Sequence, residues 1–266
     1  MNCKELCGEI KAALKDDSRA YCQYLFGKNP EELAFDKADV PEELLSEHAE
    51  YLKRISAGEP LQYVFGYAPF YDIYIDCAPG VLIPRFDTEI LVEEAIKTLP
   101  DNAYFADLCC GTGCIAAAVL KSRPDTRAYC LDISDKALDL TEKNLKKYGL
   151  FDRATVKKFD VFGDWKDLPR FDFILCNPPY INKKDMENLP ENVKREPYEA
   201  LYGGEDGLDF YREIIKKSKN HFTGSPHIIF EIGYDEADGL RELTGFKCEI
   251  KKDLSGIDRL CIIRGE

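Results

Sequence analysis

Asn177, Pro178, Pro179 and Tyr180 follow an apolar run, Ile174-Leu175-Cys176, that suits a strand buried on both faces. Two consecutive prolines fix φ twice and remove two backbone donors, so neither helix nor ladder continues beyond Asn177. What remains is a rigid set of acceptors: the Asn177 side-chain oxygen and the Asn177 and Pro178 carbonyls. Such a corner either ends a strand or receives an –NH₂ group.

Three earlier segments end in a similar way. Asp107-Leu108 runs into Cys109, Cys110, Gly111, Thr112 and Gly113 and then opens a helix. Glycine lets a ligand come near the backbone, and a helix start offers free N–H groups. The spacing is neither GxGxxG nor a P-loop, because no lysine follows. A purely structural helix start would look the same. Asp132 closes the next apolar run, placed either to accept two ribose hydroxyls or to sit as an anion before the following helix. Asp160 closes the third run, where it can accept from an adenine amino group while Val161 or Phe162 covers the ring. Together the four ends describe a nucleoside cofactor across three strands with an acceptor corner beside it.

The elements that must hold these residues alternate. Strands are expected over 103–108, 127–133, 154–160, 171–176 and 226–232, with helices over 113–123, 134–149 (capped by Ser134) and 207–222. This spacing predicts a doubly wound α/β domain with a mostly parallel sheet, whose ligands lie outside the carboxyl ends of the strands. The tail, FKCEIKKD (246–253) then RLCIIR (259–264), reads as a closing antiparallel pair. Ahead of the sheet, residues 1–57 read as helical: Leu6, Ile10, Ala13 and Leu14 form one stripe, and Val40-Pro41-Glu42-Glu43 starts a helix carrying Leu44, Leu45, His48, Leu52 and Ile55. His48 on that stripe is a core or boundary residue. Residues 58–84 turn aromatic and β-branched and predict a hairpin-like connector with strands near 63–67 and 70–76, followed by a helix over 87–98. The expected domains are therefore 1–57, 58–84 and 85–266.

Bulk properties narrow the function. The chain is 45% apolar without a run long enough to span a membrane, and its N-terminus lacks a signal-peptide core. Net charge is −13, which argues against a surface built to grip nucleic-acid phosphates. Lys143, Lys146 and Lys147 fall at helical spacing and read as a solvated face. Eleven cysteines with no CxxC and three histidines predict buried thiols in a reducing cytoplasm, with no metal site.

Asn-Pro-Pro-Tyr after the fourth strand resembles class I S-adenosylmethionine-dependent methyltransferases that act on a planar –NH₂ group. The whole of 58–259 resembles the peptide chain release factor glutamine methyltransferases. The resemblance is carried in order by GEPLQYVFG (58–66), VLIPRFDTEILVE (81–93), DLCCGTGCIA (107–116), DISDKAL (132–138), NPPYI (177–181), EPYEALYGGEDGLDFYREI (196–214), FEIG (230–233) and DLSGIDR (253–259). It implies a Rossmann-like class I sheet with a small helical N-terminal domain that binds substrate, and S-adenosyl-L-methionine as cofactor. The implied partner is a release factor, methylated on the glutamine of its Gly-Gly-Gln loop. A cytoplasmic monomer without membrane or direct nucleic-acid contact is expected. The implied cofactor site comprises Cys109, Cys110, Gly111, Thr112, Gly113, Asp132, Asp160, Val161 and Asn177. The implied acceptor site comprises Asn177, Pro178, Pro179 and Tyr180. Arg85 and Glu89 match the family motif and either close the cofactor pocket or pair to cap the 87–98 helix. An adenine-N6 nucleic-acid methyltransferase, a ribosomal-protein glutamine methyltransferase and a non-catalytic binding module are the competing readings.

Three positions depart from the family pattern. Cys109 replaces the first glycine of Asp-Leu-Gly-x-Gly-x-Gly, Phe86 replaces a proline, and Asp235-Glu236 stand near where a glutamine is common. A position that needs φ > 0 would strain a cysteine.

Overall fold

The computed structural model describes residues 1–244 and 247–265. They form two compact units, Met1–Phe65 and Gly66–Glu266. Among the described residues no helix is long and apolar enough to cross a membrane.

In the first unit, helices Cys3–Leu14, Ser18–Phe26 and Glu42–Ser56 bury Leu6, Ile10, Tyr21, Cys22 and Leu33 together. A reciprocal Asn2–Glu5 capping box starts the first helix. His48 is a core residue, its Nδ1 lying 2.8 Å from the Tyr21 hydroxyl. The strand expected near 63–67 is instead a short helix, Leu61–Phe65. Pro60 supplies the acceptor for Tyr63 and Val64, and Gly66 (φ 79°) ends the turn. Punctuation by Pro60 and Gly66 overrides the β propensity of the residues between them.

The second unit opens with a two-stranded antiparallel hairpin, β1 (Tyr67–Phe70) and β2 (Ile73–Asp76). The hairpin is packed onto the helix Asp135–Lys147: Asn144 bonds both the N–H and the carbonyl of Asp76. Lys143 and Lys147 of that helix pair with the Asp76 carboxylate, so two of the three lysines brace the hairpin.

The main sheet holds β3 (Tyr104–Leu108), β4 (Arg127–Asp132), β5 (Ala154–Lys158), β6 (Phe173–Cys176), β7 (His227–Glu231), β8 (Lys247–Lys252) and β9 (Asp258–Arg264). Their order is β5-β4-β3-β6-β7-β9-β8, with β9 antiparallel to both of its neighbours. Strand side chains alternate between two cores. Phe173 and Leu175 of β6 enter one, Ile174 and Cys176 the other, which is why these runs carry apolar residues without alternation. Helix Cys114–Ser122 is buried along nearly its whole length. From β3 the order runs outward through β4 and β5, and from β6 in the other direction through β7 and then β9 and β8. The strand order therefore reverses between β3 and β6, where a ligand-binding crevice is expected to open.

Candidate active site

A cavity of ≈ 550 Å³ lies beyond the ends of β3, β4 and β6. The size suits a small organic ligand. Cys109, Cys110, Gly111 and Thr112 line it from the turn after β3, Asp132 from the end of β4, Asp160 and Val161 from the loop after β5, and Asn177 from the end of β6. The four polar strand ends singled out in the sequence thus converge.

Each end is held by its own bonds. Both Asp132 oxygens accept backbone N–H groups, Oδ2 from Gly111 and Oδ1 from Ser134, each at 2.9 Å. The first bond ties the β3 turn to β4, and the second starts the helix capped by Ser134. Asp132 thus sits as the anion ahead of that helix, and each of its oxygens keeps a second lone pair. Burial raises its pKa and the bonds from Ser134 and Gly111 lower it. Asp160 Oδ1 accepts from Phe162 N, and Lys217 Nζ bonds the Phe162 and Gly163 carbonyls at 2.6 Å each. The loop is therefore shaped before any ligand arrives.

Cys109 has φ 58°. The position does require a left-handed backbone, and the cysteine bears the strain that glycine would avoid. Gly113 does not line the cavity; at φ 74° it packs under Thr141. Asp107 does not line it either. It is fully buried, with Oδ2 accepting from Ala116 N at 3.1 Å, and its pKa is pushed up to about 8 by burial. Its part is to anchor the helix that follows the turn.

At the Asn-Pro-Pro-Tyr corner, Asn177 and Pro179 line the cavity, whereas Pro178 and Tyr180 do not. The Tyr180 ring packs against the core of Tyr211 and Phe230, and burial raises its pKa. Asn177 Nδ2 donates to Thr88 Oγ1 at 3.1 Å, which leaves the side-chain oxygen as an acceptor. The stretch after residue 196 clamps the corner: Ile181 N–H donates to the Leu201 carbonyl and Gly203 N–H to the Ile181 carbonyl, each at 2.9 Å. A Cβ on Gly203 would lie 2.6 Å from Tyr180 Cα, so this approach needs glycine.

The far wall was not apparent from composition or spacing. Val81, Ile83, Arg85 and Thr88 line it together with Phe210. Glu196 organises this wall, accepting from Ile83 N at 2.9 Å and pairing with Arg85 at 2.6 Å while itself buried. Arg85 and Glu89 do not pair with each other to cap a helix. Glu89 accepts from Tyr71 N in the hairpin turn at 2.7 Å.

Residues 84–202 match the family described as the Methyltransferase small domain. The release factor glutamine methyltransferase of Aquifex aeolicus (strain VF5) is 34% identical over 97% of this chain and 94% of its own length. That of Clostridium botulinum (strain Hall) is 40% identical over 76% of this chain and 74% of its own. This chain belongs to the release factor glutamine methyltransferase family. In fold it is similar to the ribosomal protein L11 methylase of Lactobacillus delbrueckii subsp. bulgaricus, with TM-score 0.52 and 18% identity over 71% of this chain and 84% of that one.

Within this family chain, the other two departures have visible consequences. Phe86 is exposed, so no core depends on a proline there. Glu236 accepts from Gly233 N at 2.7 Å and from the Tyr211 hydroxyl at 3.0 Å. Burial raises its pKa to about 8, the two bonds opposing the rise. It fastens the Phe230–Gly233 strand end to the helix Asp209–Ser218.

Proposed function

We propose that this chain methylates the side-chain amide nitrogen of the glutamine in the Gly-Gly-Gln loop of peptide chain release factors, using S-adenosyl-L-methionine. Family membership supports the reaction, and one geometric observation carries the site assignment: Asn177 turns its Nδ2 to Thr88 and so presents an acceptor oxygen at the cavity. The residues present fit the cofactor. Asp132, Asp160 and Val161 all line the cavity; the Asp132 carboxylate is assigned to the ribose hydroxyls, and Asp160 with apolar Val161 to the adenine edge and face. When bound, S-adenosylmethionine supplies an electrophilic methyl group and its own leaving group.

A primary amide nitrogen is a poor nucleophile because its lone pair is delocalised into the carbonyl, so the protein's contribution is orientation. Asn177 Oδ1 and the Pro178 carbonyl each accept one N–H of the glutamine, fixing the direction in which the nitrogen lone pair points. Positioning of this kind contributes roughly 7–11 kcal/mol in favourable cases. Pro179 forms the wall that limits water at the acceptor, and Tyr180, packed into the core behind it, holds that corner rigid. No group at the site is assigned as a base, and the product's surplus proton leaves to solvent after transfer. The N-terminal helices are assigned to holding the release factor, residues 58–84 to connecting them, and 85–266 to catalysis, in a cytoplasmic monomer.

The test offers wild-type enzyme a release factor, its glutamine-to-alanine loop variant, and duplex DNA side by side. Labelling confined to the intact release factor is expected. Labelled DNA, or equal labelling of the loop variant, overturns the reading. Asn177→Ala should lose about 10²-fold or more in turnover while calorimetry shows cofactor affinity within about threefold of wild type, about 0.7 kcal/mol.

A further inference from the structure

β8 is the last strand of the main sheet and is held on one side only, by β9. An edge strand depends on its single ladder, and this ladder shifts register between Lys251 and Lys252. The side chains add a second connection. In the antiparallel register Cys248 lies opposite Ile263, and Ile250 lies opposite Cys261. Residues two apart on a strand share a face, so Cys248 and Cys261 are diagonal neighbours on one face of the pair. Cys261 belongs to the core that holds Phe230, Leu240 and Ile263, and Cys248 packs against that core.

The two sulfurs lie 2.7 Å apart. Even two carbon atoms at their optimal separation lie about 3.5–4.0 Å apart, whereas a disulfide bond measures about 2.05 Å. The pair therefore stands nearer to bonding distance than to ordinary contact, although both residues are free thiols. A metal ion does not account for this closeness. A structural zinc site takes four ligands, and among the described residues no group of three or more His, Cys, Asp or Glu is placed to hold a metal.

The two thiols also divide the roles that oxidation requires. Of the eleven cysteines, all but Cys109 and Cys248 are buried, so Cys248 is the member of the pair that an oxidant reaches. The thiol hydrogen bond lowers the Cys248 pKa against the cost of burial, with Arg241 also lowering it and Glu249 raising it. The same bond, together with burial, raises the pKa of Cys261. Cys248 is thus the readier thiolate, the nucleophilic form, and Cys261 keeps its proton.

We propose that Cys248 and Cys261 are an oxidation site, closing a cross-strand disulfide between β8 and β9 when the protein meets a peroxide. The Cys248 thiolate attacks one peroxide oxygen, the O–O bond breaks, and hydroxide leaves and takes up a proton to become water. Cys248 is then a sulfenic acid. The Cys261 sulfur attacks Cys248 Sγ, the S–S bond forms and the S–O bond breaks, and the hydroxyl leaves with the Cys261 proton as a second water. Two electrons have passed from two thiols to one peroxide. The new bond closes a loop over residues 249–260 and braces the edge strand.

The experiment treats the folded, reduced full chain with about one equivalent of hydrogen peroxide, blocks remaining thiols by alkylation and digests with trypsin without reduction. Cleavage after Lys247, Lys251, Arg259 and Arg264 separates Cys248-Glu249-Ile250-Lys251 from Leu260-Cys261-Ile262-Ile263-Arg264. Mass spectrometry should find these two peptides joined, lighter than their sum by two hydrogens, and separated again by dithiothreitol. Cys261→Ser should stop at the Cys248 sulfenic acid, trapped by dimedone, and Cys248→Ser should leave Cys261 unlinked. The linked wild type should melt about 4–10 °C above its reduced form, with no such shift in Cys248→Ser. Peptides that stay separate, a Cys248 linked to some other cysteine, or first oxidation at Cys109 overturns the proposal. An unchanged Tm in the linked protein overturns the bracing of β8. If Cys261→Ser does not fold, the wild-type peptide map and Cys248→Ser decide the proposal.

Discussion

Gly113→Ala tests whether the cofactor turn is held by packing from behind as well as by its own bonds. A methyl group at Gly113 would lie 2.8 Å from Thr141 Cγ2 and 3.0 Å from its Oγ1. Thr141 has little room to retreat, being fully buried with its hydroxyl donating to the Gly111 carbonyl at 3.0 Å. The backbone at 113 has φ 74°, which costs a residue with a Cβ about 1–2 kcal/mol. Overlap in a packed core adds about 1–3 kcal/mol. Alanine also restricts the unfolded chain, which returns about 0.4–1 kcal/mol. The net expectation is a loss of about 1–5 kcal/mol.

The two costs can be separated. Thr141→Ser deletes Cγ2, the nearest atom, and keeps the hydroxyl, so it should relieve the closest part of the overlap and leave the backbone cost in place. Urea unfolding of the four proteins in this cycle gives the coupling directly. Gly113→Ala should cost at least about 1 kcal/mol less in the serine background, because the overlap is the part removed. A shift at Thr141 also moves Gly111, whose N–H donates to Asp132, so calorimetry should show weaker cofactor binding in Gly113→Ala. Equal costs in both backgrounds, or a single-variant cost below about 0.5 kcal/mol, the ordinary range of a surface substitution, would refute the packing argument.

Cys109→Gly should remain within about 1 kcal/mol of wild-type stability, because relief of the left-handed strain offsets the added freedom of the unfolded chain and the lost thiol contacts. Cofactor affinity should hold or tighten, and calorimetry showing a clear loss would mean that the Cys109 side chain itself grips the ligand. Asp107→Asn should flatten the fall of stability with pH. The folded-state carboxyl ionises near pH 8, above the ordinary value of about 3.9. The folded protein therefore keeps a proton that the unfolded chain releases, so this group's stabilisation is complete below about pH 4 and is lost as pH rises to about 8. Glu231 and Glu236, raised to about 7 and about 8, retain part of that slope in the variant. Urea midpoints at four pH values between about 5 and 9 read the difference, and an unchanged slope would refute the assignment.

What the sequence disclosed and what it withheld follow from the range over which each signal acts. β3, β4 and β6 could be read because apolar runs end abruptly in Asp107, Asp132 and Asn177, and a period or a stop is a property of neighbouring residues. The segment 61–65 was misread because Leu, Tyr, Val and Phe favour a pleated surface there, while the helix is decided by Pro60 and Gly66 on either side. Of the far wall, only Arg85 was suggested, by the family motif, and its partners were out of reach for another reason. Arg85 and Glu196 are 111 residues apart, and Thr88 and Asn177 are 89 apart. No local pattern says that two such residues meet; only the order β3-β6-β7 brings them together. Glu231 is the clearest instance. In sequence it is one acid after an apolar strand, indistinguishable from a solvent-facing end. The fold buries it fully at the end of β7, one step beyond the register pair Cys176↔Phe230 and so on the strand beside Asn177, a placement that no run of neighbouring residues encodes.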